Sequence, residues 1–168
     1  MTLKHFSTIF FVSAMTVLAI FASVSAEEQL FNKAMQPLVA EYLTITKTLA
    51  ADKTTGVKEA AKKIETLSAS LKTEEYKGQN ANAVQKIPGQ LQTTAKALQQ
   101  AKDIEAMREV LQELSKPFAL WASLTKPDGL YVAYCPMKPG SWLQDQKEIN
   151  NPYYGSKMLR CGKIVSPK

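Results

Sequence analysis

Four sulfur-bearing residues near the C-terminal end of this 168-residue chain come in two short pairs, Cys135 with Met137 and Met158 with Cys161. Residues two apart in an extended segment project from the same face, and residues three apart meet across one helical turn. Each pair therefore offers one thiol and one thioether in a common direction, and a hairpin joining them would gather four sulfurs. Soft donors of this kind select soft ions, Cu(I) above all and by extension Ag(I). Zinc favours thiolate together with imidazole or carboxylate, and the thioethers do not help it.

Two other readings of the cysteines stay open from the residues alone. Two cysteines in an exported chain are by default a disulfide, and closing a loop of this length stabilises a fold by roughly 3–4 kcal/mol in the chain-entropy picture. That reading explains the cysteines more simply but leaves the methionines without a role. A redox-active pair is the third reading, although such pairs more often carry the C-x-x-C spacing, which is absent here. Disulfide and metal site can also be the oxidised and reduced states of one centre.

Export is expected from the first residues. Lys4 and His5 precede an apolar run from Phe6 to Ala22, and Val24-Ser25-Ala26 places small residues where a signal peptidase cuts. Residues 1–26 thus read as a cleavable leader and residues 27–168 as a single periplasmic domain of about 140 residues, not inserted in the membrane after cleavage. His5 is the sole histidine and leaves with the leader. A histidine-based triad, haem attachment and most zinc or Cu(II) sites leave with it. The net charge of +6 is spread over helical patterns, a solvated surface with no nucleic-acid partner implied. No Gly-rich phosphate loop or evident general base is present, so no enzymatic activity is expected.

The elements that position the sulfurs are helical. Apolar stripes recur at three-to-four spacing through Leu30, Ala34, Leu38, Tyr42, Ile45 and Leu49, then Val57, Ala60, Ala61, Ile64, Leu67 and Leu71. A third stripe runs Val84, Ile87, Leu91, Ala95 and Leu98, and a fourth Ile104, Met107, Leu111, Leu114, Phe118 and Trp121. Pro37 and Pro117 are expected to bend or end their helices. Asp52 to Gly56 is a break, 72–83 a loop, Pro88 a first-turn proline and Asp103 an N-cap. The fold class is mainly α: an antiparallel four-helix bundle over 27–125, followed by a small irregular C-terminal lobe over 126–168 with a short β-hairpin. At about 1.5–3 kcal/mol per buried Leu, Ile or Phe, the bundle needs no help from the lobe to fold. Met35 and Met107 fall on or beside the stripes and read as core filling.

Lys126-Pro127-Asp128-Gly129 is a turn, after which Leu130 to Tyr134 and Lys163 to Val165 are β-rich and are expected to pair, holding Cys135 and Cys161 near one end. Between them Lys138-Pro139-Gly140 and Asn151-Pro152 break regular structure. Trp142, Leu143, Ile149, Tyr153 and Tyr154 fill the lobe.

The runs CPM, G-x-W-L-Q, NPYYG and ML-x-CG resemble the signature of the bacterial domain-of-unknown-function family 3347. Tyr42-Leu43, the AADK at 50–53, Ala60-Ala61-Lys62, Arg108 and Leu114-Ser115 are similar as well. Members occur alone in exported proteins or fused to periplasmic adaptor subunits of heavy-metal efflux systems. The resemblance implies metal handling, with Cys135, Met137, Met158 and Cys161 as ligands of Cu(I). It also implies a supporting shell of Trp142, Asn151, Tyr153, Tyr154 and Gly155, and an efflux or copper-handling protein as partner. The alternative is an interaction module stabilised by a Cys135–Cys161 disulfide, whose Trp142/Tyr153/Tyr154 surface docks a protein.

Overall fold

The computed structural model describes residues 7–74, 76–77 and 80–166, with side chains from residue 29 onward. The expected leader lies outside the residues with described side chains, and its first six outside the described residues altogether. Among the described residues the elements run α1 (Ser7–Ala50), α2 (Val57–Ser68), α3 (Ala81–Val84), α4 (Ile87–Gln100) and α5 (Ile104–Thr125), then β1 (Tyr131–Cys135), β2 (Gly140–Gln144), a 3₁₀ turn (Gly155–Lys157) and β3 (Lys163–Ser166). The fold is mainly helical, with a three-stranded antiparallel sheet at the C-terminal end. None of the described helices is long and apolar enough to cross a membrane.

α2 packs between α1 and α4, and α4 leads to α5, which lies against the sheet. The stripes expected for α2, α4 and α5 are buried except at Leu67 and Ile104, which are half-buried. In α1 the stripe begins differently. Leu30 is 69% exposed and Ala34 is exposed, while Phe31 and Met35 are buried ahead of Leu38, Tyr42, Ile45 and Leu49. The phase that continues the later residues at strict three-to-four steps starts from Phe31, and that ring also packs against Tyr76 with centroids 5.7 Å apart. Met35 and Met107 are both core residues.

Neither internal proline ends its helix: α1 continues past Pro37 to Ala50 and α5 past Pro117 to Thr125. Pro37 is exposed, so its missing N–H bond is conceded on the solvent side. The break after α1 is made by Asp52 at φ 57° and Gly56 at φ 84°. Pro88 stands in the first turn of α4, and Asp103 caps α5 by accepting from the Ala106 N–H at 2.8 Å. The expected loop over 72–83 gives way to α3 at its end; Gly78 is not among the described residues.

The expected pairing of β1 with β3 is present, with Tyr134 opposite Lys163 and Ala133 opposite Ile164. The segment read as irregular contains a further strand, β2, which pairs with β1 from Tyr131 opposite Gln144 to Cys135 opposite Gly140. β1 is thus the central strand, in the order β2-β1-β3. Two tyrosine hydroxyls close the outer edge of β2. Leu143 donates its N–H to the Tyr42 oxygen at 3.3 Å, and Tyr153 donates to the Ser141 carbonyl at 2.6 Å. Ser115 spends its own proton on the Leu111 carbonyl, so Tyr42 donates to Ser115 Oγ at 2.7 Å. One buried tyrosine thereby ties α1, α5 and the sheet together.

Candidate functional site

β1 ends at Cys135, and the chain turns at once through 136–139 to enter β2. This overturns the expectation that Cys135 and Met137 share one face of an extended segment: Cys135 is fully buried, and Met137 is 63% exposed. At the other end, Cys161 donates its N–H to the Met158 carbonyl at 2.9 Å, so a tight turn outside any helix joins the two residues. Met158 and Cys161 are both half-buried. The sheet brings Cys135 Sγ and Cys161 Sγ to 3.7 Å, in contact but not bonded, so both stand as free thiols in place of the disulfide. A disulfide requires about 2.05 Å.

The two sulfurs differ electrostatically. Burial pushes the Cys135 thiol up, but donors outweigh it: the Lys138 backbone N–H, the Asn151 side chain, the Cys161 thiol and the Met137 N–H leave its pKa lowered. For Cys161, burial and then the adjacent Cys135 sulfur push the pKa up. Cys135 is accordingly the more acidic thiol of the pair.

Of the residues expected to support the sulfurs, Asn151 reaches both cysteines, whereas Gly155 sits against Asp52 and Arg108. Asn151 is fully buried; its Nδ2 donates to the Cys161 carbonyl at 2.7 Å, and its Oδ1 accepts the Tyr153 N–H at 2.9 Å. Trp142 is fully buried and meets Tyr153 edge-on, with centroids 5.7 Å apart and planes at 82°. Tyr154 donates to the Met137 carbonyl at 3.3 Å, and Gly155 adopts φ 57°.

A polar joint connects the helices with the lobe. Arg108 is buried on α5; its Nε donates to the Pro152 carbonyl at 3.1 Å, and its Nη2 to the Leu49 carbonyl at 2.8 Å and to Asp52 Oδ1 at 2.5 Å. Asp52 Oδ2 in turn accepts the Ser156 N–H at 2.9 Å. Sequence spacing held the signal: Arg108 and Ser115 sit four residues after Ile104 and Leu111, on the face that carries the stripe. Hydrogen bonds from Ser156 and then Arg108 hold the Asp52 carboxyl well below the usual carboxylate range.

A depressed carboxyl pKa gives stability that is complete above the unfolded-state value, about 3.9, and is lost as pH falls through the lower folded value. Acid titration of wild type should therefore show a component of destabilisation below about pH 4 that is missing in Asp52→Asn, read by circular dichroism at each pH. Asparagine tolerates the positive φ of this position.

A cleft of about 400 Å³ lies between the end of α1 and the loop after β2. Its charges are matched within its own wall, Lys47 with Asp145 at 2.5 Å and Arg160 with Glu148 at 3.1 Å. Among the described residues no three His, Cys, Asp or Glu side chains cluster as a metal-binding group.

No curated protein and no solved structure matches the chain. A family model described as "Protein of unknown function (DUF3347)" matches residues 38–128, from the C-terminal third of α1 to the turn before β1. The sulfur lobe follows the matched span. Since that span exceeds half of the chain, the protein belongs to the DUF3347 family.

Proposed function

We propose that the protein is a periplasmic soft-metal carrier that holds Cu(I) between Cys135 and Cys161, with Met158 as a thioether donor, for sequestration or delivery to an efflux partner. The observation that carries this reading is the pair of contacting thiols with N–H groups directed at sulfur. Hydrogen bonds to thiolate are the outer-shell support that metal-bound cysteine needs. The separation also fits. An ion about 2.3 Å from each sulfur would subtend roughly 105–110° at the 3.7 Å spacing, suited to a three- or four-coordinate centre. The metal is cargo, exchanged without redox chemistry, so no general base is required.

The helices supply the platform. The reading of α1, α2, α4 and α5 as an antiparallel four-helix bundle is supported by the short α1–α2 and α4–α5 connections and by the buried stripes. Titration of the reduced protein with Cu(I) against a chromophoric chelator such as bicinchoninate should yield one ion per chain at submicromolar Kd. Chelator that keeps all its copper would contradict the proposal.

The second reading, an interaction module with a structural disulfide, requires the cysteines that the β1–β3 pairing sets side by side to close from 3.7 Å to bonding distance on oxidation. A free-thiol assay on protein taken directly from the periplasm separates the two. Carrier function requires reactive thiols, whereas the module has none.

A further inference from the structure

Large apolar side chains of the lobe are mostly buried, and Met137 is an exception at 63% exposure, against a fully buried Cys135 two residues away. Its backbone is not loose. Tyr154 holds its carbonyl, Lys138 pairs with Glu109 at 2.5 Å, and Gln112 donates to the Pro139 carbonyl at 2.6 Å. The Met137 N–H faces both cysteine sulfurs. A pinned turn thus presents one free thioether, on three rotatable bonds, beside a thiol pair of which Cys135 is buried and Cys161 half-buried. Side-chain rotation of this kind takes picoseconds to nanoseconds and needs no opening of the fold.

From this arrangement, and resting on the carrier reading, we infer that Met137 is the exchange ligand of the site: its thioether captures soft ions from solvent and passes them out to an acceptor that presents thiolate or thioether sulfur. The ion keeps its charge throughout. Each metal–sulfur bond broken at a cysteine is replaced by one to the incoming donor, and the released thiolate takes up a proton from water. A thioether suits the task, being a soft donor that carries no charge to neutralise.

Stopped-flow transfer of Cu(I) between the reduced full-length protein and bicinchoninate, in both directions, tests the assignment. In Met137→Leu, uptake and release should both slow by about tenfold, so that their ratio moves less than threefold. Met158→Leu should instead raise Kd, chiefly through faster release. Because Met137 is exposed, its replacement leaves folding intact, which circular dichroism verifies. Unchanged rates in Met137→Leu would overturn the exchange role, and so would a rise in Kd matching that of Met158→Leu. Wild type that takes up no Cu(I) would overturn the carrier reading as well.

Discussion

Gly155→Ala is expected to destabilise the protein by about 3–5 kcal/mol and to release the lobe from the helices. Two independent causes combine. The backbone at residue 155 has φ 57°, which costs a residue with a Cβ roughly 1–2 kcal/mol. The added Cβ would also stand 2.0 Å from Asp52 Oδ1 and 2.3 Å from Arg108 Nη2, so the joint would have to open. Opening it leaves the Leu49 and Pro152 carbonyls without their guanidinium donor, at about 1–3 kcal/mol for each group that stays buried. Urea unfolding followed by both tryptophans reads the loss: Trp121 lies in α5 and Trp142 in β2, so undocking should alter the Trp142 environment first. A Gly155→Ala protein with wild-type midpoint would mean that the joint does not hold the lobe.

Cys135→Ser should remove high-affinity Cu(I) binding, with a rise in Kd of about a thousandfold or more, equivalent to roughly 4 kcal/mol. Serine conserves the shape of the residue but supplies a hard oxygen where a soft sulfur stood. The donors now directed at Cys135, from Lys138, Met137 and Asn151, would meet a neutral hydroxyl. Cys161→Ser should be severe but milder, because Cys135, the sulfur with more N–H donors directed at it, remains. Competition titration of both variants gives the comparison. Equal and complete retention of Cu(I) in the two would place the ion elsewhere.

Much of this molecule is readable in its residues because most of it is helical, and helical periodicity is local information. The stripe from Ile104 to Trp121, the Asp103 cap and the Pro88 start each depend on neighbours within one or two turns. The α1 stripe was displaced at its N-terminal end because Leu30 and Phe31 are both apolar; the packing of Phe31 on Tyr76, far along the chain, decides between them. β2 is not visible in the sequence for a related reason. Its five residues have little alternation of their own, and the strand exists through its pairing with β1 and through hydroxyls contributed by Tyr42 and Tyr153.

The site was partly legible in the same sense. The β1–β3 pairing that brings the cysteines together follows from two β-rich runs, and Asn151 and Gly155 adopt the turn roles their residue types favour. The position of Met137 was not legible, since extended geometry carried past Cys135 puts its thioether beside the thiol. In fact the strand stops at the cysteine, and the turn sends that side chain to solvent. Nor does any local pattern disclose that Arg108 reaches Leu49, Asp52 and Pro152, contacts that join residues between 44 and 59 positions apart.

X-ray absorption at the copper edge, on reduced protein loaded with one equivalent of Cu(I), reads the ligands without substitution. Binding between Cys135 and Cys161 requires a shell of sulfur alone at about 2.3 Å, a signal abolished when both thiols are alkylated beforehand. A shell dominated by nitrogen or oxygen, or a sulfur shell that survives alkylation, would contradict the assignment of the metal to the thiol pair.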